Sequence, residues 1–568
     1  MPTHDVFNVP PAWTGVNLFD DDSLLRDALR AAGAGPDDLA ALGTLGSQAG
    51  TEQAQDWARL ANSNPPVLRT HDRYGHRIDE VEFHPAWHQL MTVAVGNGLH
   101  AAPWAADAAA QAHLVRAAGF YVWGQVEQGH CCPISMSYAI VPALRHSSEL
   151  AARYEPGLTS RHYDFGLAEP STKAGLLAGM AMTEKQGGSD VRANTTTATP
   201  TSDGSYRITG HKWFCSAPMC DVFLVLAQAP GGLSCFLVPR VLPDGSRNVF
   251  AIQRLKDKLG NKSNASSEVE FDRTTGWLVG EEGRGVPTII DMVTMTRLDC
   301  VIGSASLQRA ALTQAMHHVA NRSAFGNTIL DQPLMAEVIS DLAVEVAASA
   351  ALMLRLATAV DNGETDLLRL AVAAGKFWIC KRTPIVVSEA LECLGGAGYV
   401  EESPLPRYFR ESPLNSIWEG SGNVIALDVI RALHRNPAAG QNLDAELDST
   451  AGRDPRLDAD TDRLRKILSG LGADPDADAR QARTVASLIA RTLQASLLIR
   501  ATEQPTDSGL STAPGQPSDS AGRSAVAEAF LSTRLGDAAP TVFGTAGSDQ
   551  RIGTDTRAVI ARTTVAPK

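Results

Sequence analysis

The chain has 568 residues, 44% of them hydrophobic, 20% charged and only 6% aromatic, with a formal net charge of -13. Its length is several times the ~150 residues of a common domain, and its composition is that of folded globular chains, which excludes disordered and fibrous classes. The acidic balance opposes any general attraction to nucleic acid or anionic membrane, since both need a positive field.

The first fifteen residues carry Asp5 and three prolines where a secretory signal would have a basic start and an apolar stretch. Apolar runs such as Val222 to Ala227 fall far below the ~20 residues of a membrane span, so no membrane is expected and the location expected is cytoplasmic. Eight cysteines, at 131, 132, 215, 220, 235, 300, 380 and 393, contain no C-x-x-C pair and read as reduced core thiols.

Residues 1–180 read as a helical domain, as in Ala106 to Gln128, where apolar groups recur at three and four. Over 181–290 short alternating or apolar runs lie between Gly, Pro and Asp clusters, which predicts an antiparallel sheet or small β-barrel. The helical period returns over 291–436, in Leu298 to Asn321, Pro333 to Asn362 and Leu367 to Leu394, with one more helix after Asn423: the count for a four-helix bundle. Residues 437–568 form an extra C-terminal helical region. In it a linker is expected across 436–462, a helix near Ala477 to Arg500, and a disordered loop over 504–523. The fold class is therefore α+β.

Five segments could carry chemistry, and each has a plainer reading beside it. Met182-Thr-Glu-Lys-Gln-Gly-Gly-Ser-Asp190 could approach a phosphate, or be a polar turn. Gly210-His-Lys-Trp-Phe-Cys-Ser-Ala217 could lie against a planar ring, or point two aromatics into a core. Arg322-Ser-Ala-Phe-Gly326 could meet a phosphate, or end a helix; Gly395-Gly-Ala-Gly-Tyr399 could offer backbone amides, or stop one. Ser416-Ile-Trp-Glu-Gly-Ser-Gly-Asn423 could desolvate Glu419 into a general base. It also fits a capping box, with Ser421 or Asn423 capping the next helix.

In this order and on these elements, the five segments together resemble the acyl-CoA dehydrogenase family. Residues such as Phe83-His-Pro-Ala-Trp-His88, Cys132-Pro-Ile-Ser-Met136, Leu255-Lys-Asp-Lys-Leu-Gly260 and Asn415 to Asn423 are similar to its AidB-like branch, linked to the adaptive response to alkylation. The resemblance covers about residues 1–435. It implies an N-terminal helical domain, a middle β-barrel, a four-helix bundle and an FAD cofactor. Met182, Thr183, Gly188, Ser189 and Asp190 match the family's Thr-Glu-x-x-x-Gly-Ser-Asp, and Phe214, Cys215 and Ser216 match the strand beside the isoalloxazine. Arg322 and Phe325, with Gly395 and Gly396, match the parts that reach FAD of a neighbouring subunit, which implies an oligomer, expected as a homotetramer. Trp418, Gly420, Ser421 and Asn423 surround Glu419, which matches the catalytic base.

The family mechanism implied has Glu419 take the alpha proton of a short or branched acyl thioester, such as isovaleryl-CoA, while hydride leaves the beta carbon for flavin N5. The rival is a flavoprotein associated with duplex DNA that protects against alkylation damage. Residues 441–568 hold 15 Lys and Arg against 17 Asp and Glu, so the tail is no basic module. Arg480, Arg483 and Arg491 nevertheless share one helix face that could touch DNA, or simply be solvated. A flavin-free relic would need the FAD segments lost, and all are present. No metal site is readable, because His130, His317 and His318 lack partners at ligand spacing.

Overall fold

The computed structural model describes residues 3–503, 519–536, 543 and 555–563. Its helices are α1 (Ser23–Ala31), α2 (Pro36–Ala49), α3 (Glu52–Ser63), α4 (Pro85–Gly96), α5 (Ala112–Gly124), α6 (Cys131–Leu144), α7 (Ser148–Thr159), α8 (Gly285–Asn321), α9 (Pro333–Asp361), α10 (Thr365–Cys393), α11 (Leu405–Glu411), α12 (Gly422–Arg435), α13 (Pro437–Asp448), α14 (Pro455–Ser469), α15 (Pro475–Thr502), α16 (Asp519–Arg534) and α17 (Thr556–Thr563). Two compact units divide them: residues 1–52, 113–125 and 300–568 form the first, and residues 53–112 and 126–299 the second.

In the second unit a hairpin of β1 (Val67–His71) and β2 (Arg77–Glu82) interrupts the region expected to be wholly helical. The local signal is turn chemistry. Asp72 Oδ1 accepts from the amides of Tyr74 at 2.8 Å and His76 at 2.9 Å, and Gly75 takes φ +87°. The same unit holds a seven-stranded sheet of β3 (Ala178–Ala181), β4 (Thr197–Pro200), β5 (Tyr206–Ser216), β6 (Val222–Ala229), β7 (Gly232–Pro239), β8 (Ala251–Leu255) and β9 (Ser266–Val279). Strands β6, β4, β5, β9 and β7 follow one another, and β7 pairs back with β6, which closes the barrel. β5 and β9, the longest strands, run antiparallel from Tyr206↔Gly276 to Ser216↔Ser266. The barrel is not purely antiparallel, because β6 runs parallel to both β3 and β4.

The first unit contains the bundle of α8 from Cys300 onward, α9, α10 and α12. Pro333 opens α9 at its first turn, where its missing amide hydrogen costs nothing, and α10 stops before Gly395 at φ +58°. α9 is long and apolar enough to cross a membrane, but most of it is buried within the protein, as for a core helix. Leu307, Leu342, Val346, Val387 and Ala390 pack in one core that also takes in Leu457, Leu498, Phe530 and Val559 from the C-terminal helices. The extra region thus shares the bundle's core.

Two expectations for that region change. Where a linker was expected across 436–462, α13 and the first half of α14 stand. Asn436 caps the Ala438 amide at 3.2 Å, and Asp454 caps those of Arg456 at 2.8 Å and Leu457 at 3.4 Å. Asp474 before Pro475 repeats the device for α15. Prolines and acids that look like a linker are here helix starts, each cap worth ~1 kcal/mol. Of the loop expected over 504–523, residues 504–518 lie outside the described residues, and 519–523 belong to α16.

Candidate active site

The first group of candidate residues lies in the second unit, on the loop that leaves β3. Its anchor is Glu184, buried, whose carboxylate accepts from Lys212 Nζ at 2.9 Å, the Thr195 amide at 2.7 Å, the Thr196 amide at 3.1 Å, Thr195 Oγ1 at 3.0 Å and Gln186 Nε2 at 2.7 Å. Burial alone would raise its pKa. The hydrogen bonds from Thr195 and Thr196 and the charge of Lys212 outweigh it and hold the carboxyl well below the usual range. Lys212, also buried, donates further to the carbonyls of Leu226 and Met182. With Glu184 tied down, Thr183, Ser189 and Asp190 keep part of their surface in solvent. A Cβ on Gly188 would come within 2.4 Å of Thr183 Oγ1, so only glycine lets the loop fold back there.

The second group sits on β5, joined to that loop by the Trp213 amide, which donates to the Thr183 carbonyl at 2.8 Å. Phe214 is 52% exposed. Ser216 meets Ser266 Oγ at 3.2 Å, and Lys258 Nζ reaches the same Ser266 hydroxyl at 3.0 Å. Cys215 is the buried member of the three. The strand alternates, so its thiol turns into the barrel, where burial pushes it up to about 12, and any contact it makes with a ligand runs through its main chain. Lys256 Nζ lies 3.4 Å from the centroid of the Trp213 ring, which places a cation beside the loop that the sequence did not single out.

The other candidates belong to the first unit. Glu419 adopts φ +57° and Gly420 φ +105°, so two left-handed residues follow one another just before α12. A non-glycine residue in that region is uncommon and carries strain of ~1–3 kcal/mol. Two buried or half-buried contacts hold the turn. Lys376 Nζ, from the middle of α10, donates to the Gly420 carbonyl at 2.8 Å, and Trp418 Nε1 donates to Asn415 Oδ1 at 2.9 Å. Asn415 Nδ2 in turn donates to Ser304 Oγ at 3.1 Å. The capping box is not formed: Ser416 lies in a 3-10 turn, and Ser421 stands at the N-cap of α12 without a side-chain bond. Sequence reasoning missed Lys376, which no local pattern connects to Glu419, and quoted Asn415 within the segment without giving it a role.

Arg322 to Gly326 form a two-residue hairpin in which Ser323 pairs with Thr328 and Ala324 with Asn327. Phe325 at φ +53° and Gly326 at φ +84° make its turn and leave Phe325 96% exposed. Arg322 Nη1 donates to the Asn8 carbonyl at 2.9 Å, while the Asn8 side chain brackets Ser323 at its amide and carbonyl. A Cβ at Gly395 or Gly396 would meet nothing within 4 Å, so this backbone is open to approach.

Arg480, Arg483 and Arg491 do not form one free face. Arg483 Nη1 donates to Asn423 Oδ1 at 2.9 Å, Arg491 Nη1 donates to the Arg534 carbonyl at 2.7 Å, and Arg480 faces solvent with Asp474 3.8 Å away. Two of the three are committed to the protein's own fold.

Residues 8–165 match the adaptive response protein AidB N-terminal domain, residues 179–274 the acyl-CoA dehydrogenase middle domain and residues 283–434 the acyl-CoA dehydrogenase C-terminal domain. The chain is 48% identical over 473 residues to the AidB protein of Escherichia coli (strain K12), which spans 82% of this chain and 87% of that one. The chain belongs to the acyl-CoA dehydrogenase family. Among solved structures, ACDH-11 of Caenorhabditis elegans in complex with C11-CoA is 26% identical, with a TM-score of 0.81 and 93% of each chain covered. The structure described as Bd2924 apo-form is 29% identical, with a TM-score of 0.79, covering 87% of this chain and 99% of that one. As an acyl-CoA dehydrogenase family member, the protein is an FAD-dependent oxidoreductase acting on acyl-CoA CH-CH bonds. In the second unit a half-exposed ring beside a hydroxyl and a loop folded on glycine suit a flat cofactor with a pyrophosphate.

Proposed function

We propose that the protein desaturates a short or branched acyl thioester, such as isovaleryl-CoA, between its alpha and beta carbons, with Glu419 as the base. The observation that carries this reading is the strained turn at Glu419 and Gly420, gripped by buried Lys376, because strain is kept where placement of a side chain matters. Glu419 would take the alpha proton onto its carboxylate. FAD supplies the hydride-accepting chemistry when bound. Thr183, Ser189, Asp190 and Ser216, with the rings of Phe214 and Trp418 and the main chain of Met182, Gly188, Cys215, Gly420, Ser421 and Asn423, would hold and orient it. Trp418, bulkier than a tyrosine, would narrow the space beside the base and so favour a small acyl group. Arg322, Phe325, Gly395 and Gly396 would complete the site of a second copy, in a homotetramer. Phe325 supports this, since a large aromatic in water at a hairpin tip is a surface for a partner. Eight free thiols suit a reducing, cytoplasmic compartment.

The test is anaerobic titration of the purified flavoprotein with isovaleryl-CoA and a panel of acyl-CoAs, followed by flavin absorbance. Bleaching by a short or branched member is expected. The Glu419→Gln variant should keep FAD and stay yellow. Normal bleaching by that variant removes Glu419 from the base role, and bleaching by long straight chains alone overturns the substrate class.

A further inference from the structure

Just ahead of α6, in the second unit, three chemically capable side chains stand in a row that the reaction above does not use. Cys131, the first residue of α6, has its Sγ 3.9 Å from Nε2 of His130 and 3.5 Å from the carbonyl oxygen of Glu127. His130 Nδ1 lies 3.0 Å from Glu127 Oε2, and both side chains are buried. The Glu127 carboxylate is surrounded by donors: Asn62 Nδ2 and the Gly129 amide at 2.9 Å and Ser263 Oγ at 2.8 Å on one oxygen, and the His130 amide at 2.8 Å on the other. An oxygen pair so occupied accepts from the imidazole as well. Donation from Nδ1 to that carboxylate leaves Nε2 as the ring nitrogen turned to the sulfur.

This is the arrangement of an activated nucleophile: a thiol, a base within reach of its proton and a third group that fixes the base. Cys131 opens α6, and the positive end of a helix favours a thiolate there. Asn62 on α3 and Ser263 in the loop before β9 reach Glu127 from other elements, and both are neutral. Cys132, the next titratable group in the chain, is buried. Cys131 is also distinguished from the other cysteines by access. It is partly exposed, whereas Cys132, Cys215, Cys220, Cys235, Cys300, Cys380 and Cys393 are all buried. With one thiol and one imidazole, the cluster has too few ligands for a zinc site.

We propose that Cys131 is a modification site for small, soft carbon electrophiles, with His130 as its base and Glu127 as the group that orients His130. In the step, the thiol proton passes to His130 Nε2, the sulfur forms a bond to the electrophilic carbon, and the bond to the leaving group breaks with its electron pair. With iodoacetamide the products are a carboxamidomethyl thioether and iodide.

The experiment labels the FAD-loaded protein with iodoacetamide at pH 6.5 and 8.5 and follows each cysteine-containing peptide by mass spectrometry. Cys131 is expected to react before the seven buried cysteines, with a rate that changes less than about threefold across this range. An ordinary thiol of pKa about 8.5 gains roughly 50-fold over the same two pH units. His130→Gln should slow labelling at pH 6.5 by about tenfold with the flavin spectrum kept, and Cys131→Ser should remove the adduct. A steep, ordinary pH profile at Cys131, or adducts on other cysteines in its place, overturns the proposal. So does an unchanged rate in His130→Gln; if that variant does not hold FAD, the profile of the unmodified protein decides.

Discussion

Lys376 is 1% exposed and spends its ammonium on a single carbonyl, that of Gly420, one residue past the proposed base. Lys376→Met keeps the volume but withdraws the donor, which leaves a carbonyl wanting and costs ~1–3 kcal/mol. We expect kcat to fall about tenfold with FAD content unchanged; steady-state kinetics and flavin absorbance check it, and an unaltered kcat would show that the turn needs no such support. Glu184 gives a pH prediction. Its folded-state pKa is depressed below the free value of about 4.3, so its contribution is complete above that value. The contribution is lost as pH falls below it toward the depressed value. Chemical denaturation between pH 7 and pH 3 should show stability dropping at the acid end. Glu184→Gln should start lower, by ~3–5 kcal/mol as for a broken buried pair, and respond less to acid.

At the scale of elements, the C-terminal helices are fastened to the bundle by charge as well as by apolar packing. Arg534 on α16 is buried with Asp341 at 2.5 Å and Glu345 at 2.6 Å, both on α9, and Glu345 also takes Arg382 of α10 at 2.7 Å. Arg534→Met takes one cation from two buried acids, leaving Glu345 with Arg382 alone, and should cost ~3–5 kcal/mol, read as a lower urea midpoint. Acids at 341 and 345 and an arginine at 534 lie too far apart in sequence for any periodicity to relate them. The long bundle helices were legible because their apolar period is sustained over 29 residues or more in α8, α9 and α10. α13 and α14 were not, since Asn436-Pro437 and Asp454-Pro455 read equally as breaks and as beginnings until a folded core shows which side is buried. The candidate loops were legible as motifs. Glu184 and Asn415 stood inside those motifs without a role, and Lys376 outside any, because the contacts by which they hold the loops are tertiary.

For the molecule as a whole, the prediction concerns assembly. Phe325→Asp places a charge where an exposed ring stands and should leave each chain folded while lowering the mass by light scattering and loosening FAD retention. An unchanged mass would assign the hairpin to solvent. The consequence reaching furthest comes from the left-handed pair at Glu419 and Gly420. Among ordinary replacements at 419, glycine and asparagine rest more easily in that backbone, yet neither carries a carboxylate. With Glu419 as the base proposed above, selection for turnover and the chain's own conformational comfort pull this position in opposite directions. In a lineage that had abandoned catalysis, position 419 should be among the first to drift, and toward those two residues, so its occupant is a marker of whether a related gene still encodes a working enzyme.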